Sequence, residues 1–221
     1  NKIEVPEFYI VNNKTELAEA AIKLNYGQVP VIIKPCIGNG SRGIRVLDGT
    51  VDRFDLLFNE KPNSIFSTLD EVLTSIGDKK IPRIVVSEYL PGVELTIDTI
   101  VNNGALLDCL IRTRTSIING ISTAGSFIDN KEIYEYVDKI VSSIPGLEGP
   151  IGFQVKKSAK GKYLLLESNP RIQGTSVAAL GLGVNLPLRA VNQALGVTLE
   201  RLPRHSGISF TRYYQEAFYD S

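Results

Sequence analysis

Helical periodicity is clearest near the beginning of the chain. Between residues 14 and 26, apolar side chains recur at the spacing that places them on one face of a helix: Leu17, Ala20, Ala21 and Leu24. Asn13 and Glu16 form a capping-box pair ahead of this stretch, and Gly27 is expected to end it. Similar signals predict three more helices: near 68–76 opened by Ser67 with Asp70, over about 130–143 capped by Asp129, and from Asn185 with Pro187 to Gly196.

The other apolar runs are rich in β-branched residues and predict strands at 31–34, 44–47 and 84–88, with a last strand after Gly207. Two hairpins are predicted: residues 93–102 and 105–114 flank Asn103-Gly104, and residues 152–155 and 163–167 flank a Lys160-Gly161 turn. Because hairpins and helices are mixed without regular β-α-β alternation, the pattern predicts an α+β fold. The sequence pattern changes near residues 88–92, where long β-rich runs begin, and this divides the chain into two predicted domains, 1–88 and 89–221.

Composition and charge narrow the classes of function. The 221 residues are 43% hydrophobic and 22% charged, which is typical of a soluble globular protein. Equal numbers of basic and acidic residues (24 each) give no basic excess to attract nucleic acid or an anionic membrane, and no apolar run approaches the roughly 18 residues of a membrane span. Cys36 and Cys109 lack CxxC spacing, which excludes a disulfide scaffold, is typical of a reducing cytoplasm and predicts two buried apolar thiols. The chain contains no Met, which indicates a piece cut from a longer protein.

A glycine-rich loop lies between two predicted strands. Residues 38–43 read Gly-Asn-Gly-Ser-Arg-Gly, but a β-branched strand follows instead of a helix, which excludes a dinucleotide-binding Rossmann motif. The pattern predicts a hairpin flap whose backbone N–H groups close over phosphate oxygens. Lys34 ends the preceding strand and Arg42 lies within the flap, so both would neutralise phosphate charge. Taken alone, the segment fits a surface hairpin with a solvated lysine equally well.

Polar side chains end the apolar run 164–166. Glu167 and Asn169 fall on one face of the predicted strand, and hairpin pairing would set Gln154 opposite Glu167. Three oxygen-bearing side chains then converge in a set suited to Mg²⁺ or Mn²⁺, with phosphate and water completing the shell. Pro170 turns the chain off the sheet and brings Arg171 into the site. The alternative is a plain strand end with a solvated glutamate and an arginine salt bridge.

The connection between the predicted domains, residues 88–94, has groups suited to a nucleoside. Its backbone can pair with an adenine edge, Tyr89 and Leu90 can form a wall, and Glu94 can accept from ribose hydroxyls. Taken alone, the segment is more typical of an ordinary strand–turn–strand connection with charged edges.

Together these segments resemble the ATP-grasp superfamily. Their order and spacing are most similar to the large chain of carbamoyl-phosphate synthase and its relatives, which include amino-acid ligases and biotin carboxylases. The resemblance runs from about Val5 to Gly196 and is carried by Val31–Pro35 with the Gly38–Gly43 flap, Glu88–Glu94, Gln154, and Glu167–Arg171.

The resemblance implies an ATP-grasp fold, with two α+β lobes and a nucleotide cleft between them. It also implies an ATP- and Mg²⁺-dependent ligase that makes an acyl phosphate from a carboxylate or bicarbonate for attack by an amine. ATP contacts would come, by position, from Lys34, Gly38, Gly40, Ser41, Arg42, Gly43, Glu88, Tyr89, Leu90 and Glu94. The implied metal ligands are Gln154, Glu167 and Asn169. Arg171 would be the catalytic residue, stabilising charge on the transferring phosphoryl group.

One part of the resembling enzymes has no counterpart in this sequence. They usually begin with an extra α/β domain, the pre-ATP-grasp domain, which supplies a further basic residue and part of the substrate pocket. The expected partners are therefore that missing N-terminal domain and small-molecule carboxylate and amine substrates, and a homodimer is allowed. Arg112 and Arg114 lie where substrate recognition is expected, and either clamp a substrate carboxylate or line the solvated face of a strand. The alternative function is a non-catalytic ATP-binding module or an inactive fragment of a larger ligase.

Overall fold

The structure, a computed structural model, describes residues 3–38, 42–59, 64–118 and 120–220. They form two compact units: the first is Val5–Pro91, and the second is Gly92–Ser221 together with the short segment ahead of Val5. Each unit contains a β-sheet and helices, which confirms the predicted α+β class.

The first unit, over its described residues, is built on a five-stranded sheet in the order β1-β5-β2-β3-β4. Strands β3 and β4 run parallel, and the other described pairs are antiparallel. The strands are β1 (Phe8–Val11), β2 (Val31–Pro35), β3 (Arg45–Leu47), β4 (Phe66–Ser67) and β5 (Ile84–Glu88). The helices are α1 (Lys14–Lys23), α2 (Arg53–Phe58) and α3 (Leu69–Ile76).

Helix α1 buries the face that its periodicity predicts. The core of the first unit consists of this face, the inward side chains of the sheet and the start of α3: Val11, Leu17, Ala20, Ala21, Leu24, Val31, Ile33, Leu47, Leu69, Ile84 and Val86. The Asn13 side chain accepts from the backbone N of Glu16 at 2.9 Å, as the capping prediction requires. The helix ends at Lys23, earlier than predicted, because Asn25 adopts a left-handed conformation (φ 63°) before Gly27 is reached.

The predicted opening of α3 is wrong by one residue. Thr68, and not Ser67, is the N-cap: its hydroxyl accepts from the backbone N of Glu71 at 3.1 Å. The Glu71 carboxylate accepts in return from the backbone N of Thr68 at 2.9 Å, which completes a capping box. Two polar residues in succession made the sequence ambiguous, and the capping geometry selects the second.

The second unit, over residues 92–118 and 120–220, is built on a seven-stranded sheet. Six strands follow the order β11-β10-β6-β7-β9-β12, and β8 pairs with β9. The strands are β6 (Glu94–Asn102), β7 (Ala105–Thr113), β8 (Ser116–Ile118), β9 (Ile121–Ile128), β10 (Gly149–Lys157), β11 (Tyr163–Asn169) and β12 (Ser209–Thr211). The helices are α4 (Lys131–Ser142) and α5 (Leu186–Ala194), and a 3₁₀-helix spans Ser176–Leu182.

Both faces of this sheet are covered, but unevenly. On one face, side chains such as Ile97 and Phe153 pack against Ile133 and Val137 of α4. On the opposite face, an apolar cluster joins β6, β7 and β9 to the 3₁₀-helix and α5: Ile100, Leu110, Phe127, Ala179, Val184 and Leu186. Toward β11 this second face carries polar side chains instead, and the predicted metal ligands lie there.

The cap of α4 corrects another prediction. Asn130 is the N-cap, since its side chain accepts from the backbone N of Ile133 at 3.1 Å. The predicted cap, Asp129, forms an ion pair with Arg204 at 3.3 Å instead. The predicted hairpin at Asn103-Gly104 is confirmed, with both residues at positive φ (48° and 78°), as a two-residue turn of this type requires.

The two cysteines differ from each other. Cys36 is exposed, so its predicted burial is wrong, whereas Cys109 is partly buried in the second unit. Burial raises the pKa of the Cys109 thiol to about 12. Among the described residues, none of the helices combines the length and the apolarity needed to cross a bilayer.

Candidate functional site

Strands β10 and β11 bring two of the predicted metal ligands face to face. Gln154 of β10 lies directly opposite Glu167 of β11 in the antiparallel ladder, as predicted from the Lys160-Gly161 turn. Gly152 of β10 lies opposite Asn169. Because side chains alternate along a strand, Gln154, Glu167 and Asn169 share one face of the sheet.

The predicted pairing is present, but the turn and the strand that produce it differ from the prediction. Lys157 pairs with Tyr163, and the backbone N of Ser158 donates to the carbonyl of Lys162 at 2.8 Å, so the turn consists of residues 159–161, one residue longer than expected. The ladder then runs in step as far as Val155 opposite Leu165. At the next position a β-bulge leaves Leu166 as the extra residue, and this shift restores Glu167 as the partner of Gln154.

Hydrogen bonds connect the residues that follow along β11. Asn169 Nδ2 donates to Glu167 Oε1 at 2.6 Å, and Arg171 Nη2 donates to Asn169 Oδ1 at 3.3 Å. The backbone N of Arg171 donates to the carbonyl of Asn169 at 2.8 Å, which closes a tight turn across Pro170. Glu167 and Arg171 are exposed, so a ligand can reach both ends of this chain of contacts.

The donor set at this edge fits a hard divalent cation. It contains one carboxylate and two carboxamide groups, whose oxygens are the ligands that Mg²⁺ prefers in proteins. Asn169 must rotate its amide to offer Oδ1, because Nδ2 faces Glu167 in the structure. A single carboxylate leaves positive charge uncompensated, so phosphate oxygens and waters would complete the coordination.

The polar face continues inward from this edge. Gln154 is paired with Thr96 of β6, and Thr96 with Arg112 of β7, so these side chains form a row across the sheet. Arg112 is only 1% exposed, and its Nε donates to Asp98 Oδ2 at 2.8 Å. Its Nη2 has no hydrogen-bond partner within the described residues. A solvated role for Arg112 is therefore wrong.

Two residues of this buried group were missed by the sequence analysis. Asp98 and Gln173 are both buried, and Gln173 Nε2 donates to Asp98 Oδ1 and to the carbonyl of Ile97, both at 3.0 Å. The signal was present at Asp98, a single carboxylate in the middle of the apolar run 95–101. A carboxylate in such a run must find a partner, because an unpaired buried charge is very costly.

Arg114, two residues further along, anchors Glu94 at the start of β6. Its Nη1 forms a salt bridge with Glu94 Oε1, its Nε donates to Ser122 Oγ at 2.9 Å and its Nη2 donates to the carbonyl of Gly120 at 2.6 Å. The Arg114 side chain is 6% exposed, so for this residue too the solvated alternative is wrong. Glu94, predicted to contact ribose, is 20% exposed and keeps Oε2 outside this salt bridge.

In the first unit, the glycine loop joins two antiparallel strands, β2 and β3, which confirms the predicted hairpin. Lys34 is half-buried on β2 beside Val85 of β5. Gly43 closes the base of the loop at φ +77°, where a Cβ atom would lie 2.7 Å from Cγ of Pro35. Gly38 and Arg42 are exposed, and Gly40 and Ser41 lie outside the described residues.

The predicted adenine-binding residues end β5. Glu88 is paired with Val31, and its carboxylate lies 3.4 Å from the backbone N of Glu7. Tyr89 is half-buried, and the side chain of Leu90 is buried (3% exposed). The structure thus places these three residues consecutively at one end of the sheet of the first unit.

Comparison with solved structures defines the class of this fold. The chain is similar to a carboxyaminoimidazole ribonucleotide synthase from Aspergillus clavatus complexed with ATP (TM-score 0.67, 16% identity, 94% of this chain and 51% of that chain). It is also similar to the biotin carboxylase domain dimer of a 2-oxoglutarate carboxylase from Hydrogenobacter thermophilus, in complex with MgADP, ADP and bicarbonate (TM-score 0.63, 18% identity, 92% and 44%). The chain shares the fold of these proteins, and the family match given next identifies it as the ATP-grasp fold.

The sequence places the chain within that class. Residues 80–216 match the family of ATP-grasp proteins in the biosynthetic pathway with the Ter operon, and the chain belongs to this family. It is 27% identical over 199 residues to acetyl-CoA carboxylase of Dictyostelium discoideum, across 87% of this chain and 8% of that protein. The chain thus spans about half the length of these solved relatives and a small part of the carboxylase.

Proposed function

We propose that this chain is the ATP-binding and catalytic part of an ATP- and Mg²⁺-dependent ligase, similar to carbamoyl-phosphate synthase. An oxygen of a carboxylate or bicarbonate takes the γ-phosphoryl group of ATP, which releases ADP and gives an acyl phosphate. An amine then attacks the acyl carbon, which forms the carbon–nitrogen bond and releases inorganic phosphate. The family and fold support nucleotide binding, and solved structures of the same fold hold ATP in one case and MgADP with bicarbonate in another.

One observation carries the proposal: Gln154 and Glu167 are opposite each other, and Asn169 contacts Glu167 on the same face. These residues supply three oxygen ligands, a set that suits Mg²⁺ and also Mn²⁺. When bound, the metal ion would neutralise negative charge on the phosphate oxygens of ATP. Arg171 is an exposed residue that donates to Asn169 of this set, so we assign it to the transferring phosphoryl group.

The remaining residues bind and orient the nucleotide. Lys34 and the flap residues Gly38, Gly40, Ser41, Arg42 and Gly43 hold the phosphates, and Glu88, Tyr89 and Leu90 hold the adenine. Glu94 accepts from a ribose hydroxyl through Oε2, while Arg114 holds Oε1 in place. Phosphoryl transfer depends mainly on such positioning and charge neutralisation, so the reaction needs no covalent nucleophile from the protein.

Replacement of Glu167 tests the proposal. In the full-length protein we expect Glu167→Gln and Glu167→Ala to lower ATP turnover by about 10²- to 10³-fold, because the only carboxylate of the ligand set is lost. The matched control is Glu135→Gln on the exposed side of α4, where the carboxylate pairs with Lys131 at 3.5 Å. Turnover is measured as ADP release with panels of amino acids, amines and bicarbonate. Normal turnover in both Glu167 variants would refute the assignment.

The same assay separates the ligase from a non-catalytic ATP-binding module. A module would bind ATP with Mg²⁺ in a calorimeter and release no ADP in response to any substrate.

We also propose a cytoplasmic location, a homodimer and contributions from a further N-terminal domain. In the sequence, we propose a boundary between two functional domains, 1–88 and 89–221. Each of these stays a prediction.

A further inference from the structure

The chain folds back over its own sheet after β11. Pro170 ends the pairing, and four residues beyond Asn169 the side chain of Gln173 is buried against β6. Its Nε2 donates to Asp98 Oδ1 and to the carbonyl of Ile97, both at 3.0 Å. The segment 170–172 is therefore tied at both ends, to β11 at Asn169 and to β6 at Gln173.

Gly152 of β10 makes this crossing possible. It is paired with Asp98 on one side and with Asn169 on the other, so it lies directly beneath the path of Gln173. A Cβ atom at Gly152 would lie 2.5 Å from Nε2 of Gln173 and closer still to its Cγ and Cδ. The amide of Gln173 thus occupies the space that a side chain at position 152 would fill.

Asp98 is fixed from the other direction by Arg112. Each carboxylate oxygen accepts a hydrogen bond: Oδ2 from Arg112 Nε at 2.8 Å, and Oδ1 from Gln173 Nε2 at 3.0 Å. Asp98 is 4% exposed and Arg112 1% exposed. Charged groups as deeply buried as these are retained only when they are paired and hydrogen-bonded, so Asp98 has little freedom to move.

We propose that Asp98, Arg112 and Gln173 are positioning residues for the segment that carries Asn169 and Arg171. This inference rests on the proposed function, because Asn169 and Arg171 are the groups that the segment would present to the metal ion and the phosphoryl group. None of the three positioning residues needs to touch the substrate. They fix the end of the segment, and a shift of about 1 Å in such a segment lowers a reaction rate by up to about 100-fold.

Three variants of the full-length protein test the proposal. Asp98→Asn removes the negative charge that Arg112 and Gln173 contact. Gln173→Leu removes the amide donor and leaves the Asp98–Arg112 pair intact, so Gln173→Leu still tests the proposal if Asp98→Asn fails to fold. Asp108→Asn is the matched control. Asp108 is also a buried carboxylate (1% exposed), but its partner Arg189, at 2.5 and 2.7 Å, lies on α5 and not on the segment after β11.

The main readout is hydrogen–deuterium exchange at the backbone amides of residues 171–176. We expect Gln173→Leu and Asp98→Asn to speed this exchange about tenfold or more relative to Asp108→Asn, because the local anchor is lost. The Asp98→Asn/Gln173→Leu double variant should exchange no faster than the faster single variant, since both changes act on the same contact. Exchange that is unchanged in Gln173→Leu, or equal to that of Asp108→Asn, would overturn the proposal.

Kinetics give a second readout. Gln173→Leu should lower kcat by roughly 10- to 100-fold and raise the Mg²⁺ concentration that gives half the maximal rate, with the KM for ATP within about twofold of wild type. Loss of rate without a change in Mg²⁺ dependence would argue against a role in placing Asn169. If wild-type protein releases no ADP with any substrate, the proposed function fails, and the exchange experiment still decides whether the anchor exists.

Discussion

Replacement of Gly152 by alanine is a direct test of the packing around Gln173. The new Cβ atom would overlap the side-chain amide of Gln173, which is held in that position by its hydrogen bonds to β6. Gln173 must then leave its place, and its two hydrogen bonds at 3.0 Å are broken.

The expected loss follows from those two contacts. The bond to the Ile97 carbonyl contributes about 0.5–1.5 kcal/mol, and the bond to the Asp98 carboxylate about 1.5–3 kcal/mol, because a charged partner strengthens it. Gly152→Ala should therefore lower the free energy of unfolding by about 2–4 kcal/mol. For a chain of this length, the melting temperature should fall by roughly 5–15 °C.

Urea denaturation followed by circular dichroism measures this change. The control is Gly174→Ala, since a Cβ atom there meets nothing within 4 Å, and we expect a change of less than about 1 kcal/mol. The Gln173→Ala background removes the atoms that collide, so Gly152→Ala should cost much less in that background. An equal cost in both backgrounds would refute the reasoning, as would a loss below about 1 kcal/mol in the single variant.

Two further predictions concern other parts of the molecule. Arg114→Ala should lower the free energy of unfolding by about 2–4 kcal/mol, measured by the same denaturation, because it leaves the partly buried Glu94 carboxylate without its partner; an unchanged stability would contradict this. At pH 8, one thiol of native protein, Cys36, should react with a thiol reagent, and both should react in urea. Since a pKa of about 12 leaves on the order of one Cys109 in 10⁴ as thiolate at that pH, labelling of native Cys109 should rise with pH, and rapid labelling at pH 8 would contradict the assigned burial.

The sequence predicted best where a local signal determines the structure. Asn103-Gly104 defines a hairpin because both residues tolerate positive φ, and the observed angles confirm it. The opposition of Gln154 and Glu167 was also predicted, although the turn is longer and a bulge compensates for it. Alternation along β11 then placed Asn169 beside Glu167.

Elements that depend on distant partners were missed. Strands β8 and β9 contain Ser, Thr and Gly without a clear apolar alternation. β9 is held by pairing with β7 and β12, and β8 by pairing with β9. The contact between Asp98 and Gln173 joins residues 75 positions apart, so no local pattern reveals it. Helix caps were displaced by one residue where two polar residues adjoin, as at Asp129 and Asn130, because only the backbone geometry distinguishes them.

Because of the β-bulge at Leu166, the length of the turn at residues 159–161 does not by itself determine which side chains beyond it lie opposite each other. Related sequences can therefore lose or gain one residue in that turn and keep the same two side chains opposite each other, provided that the bulge appears or disappears with the change. Alignments of such sequences should show a one-residue gap that moves between the turn and the strand, while the distance along the chain from Glu167 to the Asn-Pro-Arg sequence stays constant.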